Sequence, residues 1–157
     1  MLLVEILTPS SVIVPLKAVD KKDAICQMVN VLKENGSISN APTVLKIILE
    51  REAIRSTGIG DGFAIPHGKC NATENIVMAV AKLETPIDFD SIDGKPVSML
   101  VLLVSPLNQT SAHIQALARI SRLMTNKETH QKIWDSIDPK DLFDLITITD
   151  SEANASQ

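Results

Sequence analysis

A chain of 157 residues with 15 Lys and Arg against 19 Asp and Glu, formal net charge −4, lacks the clustered cations that phosphate-backbone binding needs, which argues against nucleic acid as a partner. A hydrophobic fraction of 45% is ordinary for one domain, which at this length hides roughly 70% of its chain surface and needs no staples. Three Phe, one Trp and no Tyr leave the core to Ile, Leu, Val and Ala.

The first regular signal is Val12–Leu16, a short β-branched run. Asp20 then reads as an N-cap, followed by Ala24, Ile25, Met28, Val29 and Leu32 at helical spacing until Gly36. Asn40 caps a second predicted helix, with Pro42 in its first turn and Val44, Leu45, Ile48 and Leu49 on its inner face; it runs out near Arg55. Ile76–Leu83 and Val97–Val104 are predicted strands, the second so continuously apolar that both its faces are expected to be covered. Asp93-Gly94 marks a turn between them. A further helix is expected from about residues 108–110, carrying Ile114, Leu117, Ala118 and Met124 inward, and two short helices close the chain. The second of these has Asp138 as cap and Pro139 at its first position. Strands interleaved with helices predict an α/β domain over residues 1–150, helices packed on one central sheet, and SEANASQ (151–157) reads as a frayed polar tail.

Cys26 and Cys70 form no CxxC pair, and MLLVEILTPS has no basic segment and is broken by Glu5, so no export signal is expected and a reducing cytoplasm is the expected compartment. Pro96–Ala118 is free of charge apart from His113, yet only Val97–Val104 is solidly apolar, so no membrane insertion is expected.

The informative segment is REAIRSTGIGDGFAIPHGK, Arg51 to Lys69. Three glycines in five positions free the backbone for a close approach, Pro66 stiffens the chain before His67, and Gly68 is expected to leave one side of the ring unshielded. This suits a nucleophilic imidazole. A P-loop does not fit: Gly62 to Gly68 encloses five residues and Cys70, not Ser or Thr, follows Lys69. Phe63 stands where a dinucleotide fingerprint needs its third glycine.

The run G-I-G-D-G-F-A-I-P-H-G, Gly58 to Gly68, resembles the active-site signature of the fructose/mannitol-type enzyme IIA domains of the bacterial phosphoenolpyruvate-dependent phosphotransferase system. ETPIDFDSIDGKPV, Glu84 to Val97, is similar to the nitrogen-regulatory branch of that family, and Asn108-Gln-Thr-Ser-Ala-His113-Ile matches its second histidine at a helix start. The resemblance spans nearly the whole chain; Phe63 departs from the branched aliphatic residue usual there, which bears on packing rather than chemistry. It implies a mixed β-sheet flanked by helices, and a phosphocarrier that accepts a phosphoryl group on Nε2 of His67 from phospho-HPr or its nitrogen-branch counterpart. His113 would then donate a hydrogen bond to the phosphoryl group from the first turn of its helix, and Arg51 would supply a permanent charge in a fork that matches phosphoryl oxygens. Neither metal nor cofactor is implied.

Two forms of the carrier share that first step. One is nitrogen-regulatory, acting on target proteins according to its phosphorylation, a reading favoured by the Glu84–Val97 block and by the lack of a fused permease. The other is a sugar-specific IIA that passes the group to a cysteine of a IIB domain. A remote third reading is a metal module of His67, His113 and His130, unsupported by HxxxH or HExxH spacing. Blander roles stand beside these: Arg51 could pair with Glu50, His130 could pack beside Ile133, Trp134 and Ile137, and Cys26 could be core.

Overall fold

The computed structural model describes residues 1–155. A 3-10 turn at Leu3–Glu5 leads into β1 (Leu7–Leu16), α1 (Lys21–Glu34) and α2 (Ala41–Ile54). Three short strands follow, β2 (Gly58–Gly60), β3 (Phe63–Ala64) and β4 (His67–Lys69), then the long pair β5 (Val77–Ile87) and β6 (Val97–Ser105). The chain ends with α3 (Thr110–Thr125), α4 (Lys127–Asp135) and α5 (Pro139–Ala155).

The expected caps form: the carboxylate of Asp20 accepts from the Asp23 N–H at 2.8 Å, that of Asp138 from Asp141 at 2.8 Å, and the Asn40 amide oxygen from Thr43 at 3.1 Å. The strands make one six-stranded mixed sheet in the order β1-β5-β6-β3-β2. β5 and β6 are antiparallel, while β1 runs parallel to β5. β3 and β4 both lie parallel to β6, one after the other along its far edge.

β6 divides the interior by its period of two. Leu100, Leu102 and Val104 face α1 and α2 with Ile25, Met28, Val44 and Ile48, whereas Met99, Val101 and Leu103 face α3, α4 and α5 with Ile120, Ile133 and Ile146. Covering on both faces explains its unbroken apolar run. Burial of each such Leu is worth ~1.5–3 kcal/mol, which ties the edge strands that carry the site to a rigid centre. No described helix is long and apolar enough to cross a membrane.

Several expectations need correction. β1 starts at Leu7, not Val12, because an edge strand tolerates Pro9 and the polar run Thr8–Ser11. The buried stripe of α3 is His113, Ala116, Ile120, Leu123 and Met124, one register from the stripe expected; Ile114 is 60% exposed and Ala118 is exposed too. The polar His113 holds a buried position that apolar periodicity alone gave to its neighbour. Ile137 lies beyond α4 and is exposed, and Cys26 is only half-buried. α5 is no short helix: it continues through Ser151–Ala155, read above as tail, whose exposed side chains hide a helix-compatible composition. The remainder of that tail lies outside the described residues.

Candidate active site

The site begins where α2 ends. Arg51 lies in its last turn, half-buried, and donates from one guanidinium nitrogen to the Arg55 carbonyl at 2.9 Å, closing the helix C-terminus. Glu50 is engaged by Lys46 instead, and no ion pair of Arg51 occurs among the described residues, so the rest of its fork is open.

The glycine-rich segment then folds back as the β2–β3 hairpin. Gly60, Asp61 and Gly62 all take positive φ (97°, 55° and 83°), a turn that side chains resist. What the bare backbone approaches is other parts of the chain. A β-carbon on Gly58 would lie 2.9 Å from the Ser91 α-carbon, and one on Gly62 would lie 3.2 Å from the Trp134 ring. The Asp93 carboxylate pins the tip, accepting from Asp61 N–H and Lys95 N–H at 3.1 Å each; those bonds hold its pKa below the usual carboxylate range.

His67 opens β4, in register with Leu103, whose N–H donates to the Pro66 carbonyl at 3.1 Å. Its Nδ1 lies 2.7 Å from the Ile65 carbonyl oxygen. A carbonyl can only accept, so Nδ1 carries the proton and Nε2 keeps a free lone pair. Burial, and after it the charge of Arg51, hold this imidazole below the usual histidine range, against the opposite pull of the Ile65 hydrogen bond and the Glu52 carboxylate. Gly68 does not unshield the ring as expected. It is buried against α2, where a β-carbon would come within 2.7 Å of Ile47, so its role is to let β4 lie close to the helix.

His113 stands in the first turn of α3, 5% exposed, with its ring centroid 5.5 Å from that of His67. Its Nδ1 lies 2.7 Å from the Ser105 hydroxyl. Burial, then the neighbouring charges of His67 and Lys69, push its pKa down to about 4, so it is neutral at pH 7. A serine hydroxyl can donate or accept; in the tautomer where Ser105 donates to Nδ1, the ring N–H sits on Nε2. Lys69, two residues beyond His67, reaches the Thr110 hydroxyl at 3.1 Å.

An open cleft of about 420 Å³ borders His67; Arg51, Arg55, Thr57, Ile65 and Leu117 are among its other walls, and His113 is not one of them. Thus the structure brings His67 beside His113 and sets Arg51 on the same cleft. His130 is elsewhere, tilted against Phe63 (5.0 Å) and edge-on to Trp134 (4.9 Å), while Phe63 and Trp134 stack nearly parallel at 5.3 Å. This is the packing consequence of an aromatic at position 63. Among the described residues no group of three His, Cys, Asp or Glu side chains could share a metal ion. The sequence reading missed Ser105, Arg55 and Leu117, which nothing in local spacing connects to His67.

The family model described as "Phosphoenolpyruvate-dependent sugar phosphotransferase system, EIIA 2" matches residues 5–148. A nitrogen regulatory protein of Bradyrhizobium diazoefficiens is 33% identical over 149 residues, 95% of this chain and 97% of its own length. The fructose-specific EIIABC component of Bacillus subtilis is 29% identical over 146 residues, 93% of this chain but 23% of its own length. Among solved structures, nitrogen regulatory protein IIA-Ntr of Neisseria meningitidis has a TM-score of 0.85 at 27% identity, covering 91% of this chain and 97% of that one. IIA mannitol of Escherichia coli, at 17% identity and TM-score 0.74 over 88% of this chain and 97% of its own, shares the fold.

Proposed function

Because this chain belongs to the EIIA 2 family of the phosphoenolpyruvate-dependent sugar phosphotransferase system, we propose that it is a cytoplasmic phosphocarrier whose acceptor is Nε2 of His67. The observation that carries this is the Nδ1–H donated to the Ile65 carbonyl at 2.7 Å, which leaves the lone pair of Nε2 free in a half-buried, cleft-facing ring.

The donor is a phosphohistidine protein of the HPr kind, or its nitrogen-branch counterpart. As the new P–N bond forms at Nε2, the donor's P–N bond breaks and its electron pair stays on the donor imidazole. No proton need leave His67. Catalysis is then positioning and charge stabilisation, with Arg51 offering its open fork and His113 an uncharged N–H donor. Exposed Ile59 and Ile92 at the cleft (37% and 74% exposed) give a protein donor an apolar footing.

Of the two forms, the nitrogen-regulatory one is favoured by full-length similarity to nitrogen regulatory proteins and by the TM-score of 0.85 against 0.74 for the mannitol domain. Its output is binding of target proteins that changes when His67 gains a dianionic group.

The test is incubation with phosphoenolpyruvate, enzyme I and HPr. Acid-labile, alkali-stable label is expected on the wild type and none on His67→Ala; equal labelling of both would end the assignment. Rapid transfer onward to a purified fructose-type IIB domain would favour the sugar-specific form instead.

A further inference from the structure

Glu52 is a carboxylate with almost no access to water, its side chain 3% exposed, one residue after Arg51 on α2. Burial of an acid is expensive unless it is fully bonded, and this one is. Both of its oxygens accept from the Thr57 N–H (3.0 and 2.9 Å) and from the Thr57 hydroxyl (2.7 and 2.9 Å). Lys21 stands 3.6 Å away, itself shared with Asp90 at 3.8 Å and the Phe89 carbonyl at 3.3 Å. Arg55 lines the same surface hollow.

From Thr57 the bonding runs straight to the acceptor ring. The Thr57 carbonyl takes the Ile65 N–H at 3.0 Å, and the Ile65 carbonyl takes the His67 Nδ1–H at 2.7 Å. The carboxylate and the imidazole are therefore the two ends of one chain of hydrogen bonds, in which each link fixes the direction of the next. We propose that Glu52 is a positioning residue for the acceptor: through Thr57 and Ile65 it holds His67 in the Nδ1–H tautomer. A salt bridge to Lys21 alone would not require the double Thr57 bond, nor a position beside the residue whose carbonyl takes the Ile65 N–H. The field of Glu52 acts on His67 in the direction that favours its protonation, opposite to that of Arg51. Acceptor basicity is thus balanced between adjacent residues of one helix.

This rests on His67 being the acceptor, and the measurement is chosen to stand apart from it. ¹⁵N–¹H correlation spectra of the imidazoles, recorded across pH on the intact protein, read the tautomer and titration midpoint of His67 directly. Wild type is expected to be Nδ1–H. Glu52→Gln, which places an amide N–H among donors, is expected to populate the Nε2–H form measurably, lower the midpoint and slow acceptance from phospho-HPr about tenfold. Thr57→Val should move the spectrum in the same direction and Thr57→Ser should restore it, so the idea remains testable if Glu52→Gln does not fold. A folded Glu52→Gln, or failing that Thr57→Val, with the wild-type tautomer and midpoint would overturn it, even if stability fell. Wild type that is Nδ1–H but never labels would instead sink the phosphocarrier reading, and the role for an acceptor with it, a failure told apart from this one by the variant spectra.

Discussion

The imidazoles of His67 and His113 stand with centroids 5.5 Å apart and planes inclined at 53°. Two rings so close cannot both be cations without repulsion, and burial weighs further against charge on either. The pair is therefore a neutral one near pH 7, which suits a nucleophile and its hydrogen-bonding neighbour.

Protonation of His113 gives a dependence of stability on pH. Its folded pKa of about 4 lies below the ordinary histidine value of 6.5, so between those values the unfolded chain binds more protons and stability falls as the medium is acidified. Urea midpoints at pH 7 and pH 5 should separate more for wild type than for His113→Gln. Equal separations would show that His113 is not the group concerned.

Ser105 is fully buried and its hydroxyl is the partner of His113 Nδ1. Ser105→Ala leaves a ring nitrogen unsatisfied, a loss of about 1–3 kcal/mol in unfolding free energy. It should also slow phosphoryl acceptance, since the ring loses its fixed tautomer. Stopped transfer assays with an unchanged rate would remove His113 from the site.

Arg51 makes no ion pair among the described residues and bonds only to the Arg55 carbonyl, so it contributes little to folding. Arg51→Ala should shift stability by less than about 0.5 kcal/mol while cutting acceptance by roughly 10²-fold, the order for loss of one preorganised donor. Arg51→Lys should recover part of that rate because charge returns without the fork. A rate loss matched by a comparable stability loss would count against a site role.

Phe63 can be exchanged for an aliphatic residue. Phe63→Leu empties part of the space against Trp134 and His130 and should lower stability by about 1–2 kcal/mol. Trp134 emission should shift, since its ring loses a stacked partner. Transfer to His67 should stay within a factor of two or so of wild type; a large drop would mean that this packing reaches the acceptor.

The candidate site was legible in the sequence where chemistry and local spacing coincide. Pro66-His67 announces a presented ring, and Arg51 and His113 follow once the family pattern is matched. The relations that tune these groups were not legible. Ser105 meets His113 only because the chain turns from β6 into α3, and Ile65 serves through a carbonyl, which no side-chain pattern records. The glycines were read as freeing the backbone for a close approach, and Gly68 as baring one side of the ring; what Gly58, Gly62 and Gly68 approach is Ser91, Trp134 and Ile47, contacts set by topology. For the fold, α1, α2, β5 and β6 were plain from periodicity. The face of α3 was misread because a buried histidine interrupts its apolar stripe.

Both histidines hang from β6 as from a single rail. Leu103 holds the His67 segment through strand pairing, and Ser105, two residues on, holds His113. The gap between the rings is hence set by one dipeptide interval of the most deeply buried strand. A one-residue slip within β6 would send Ser105 to the opposite side of the sheet and separate them at once.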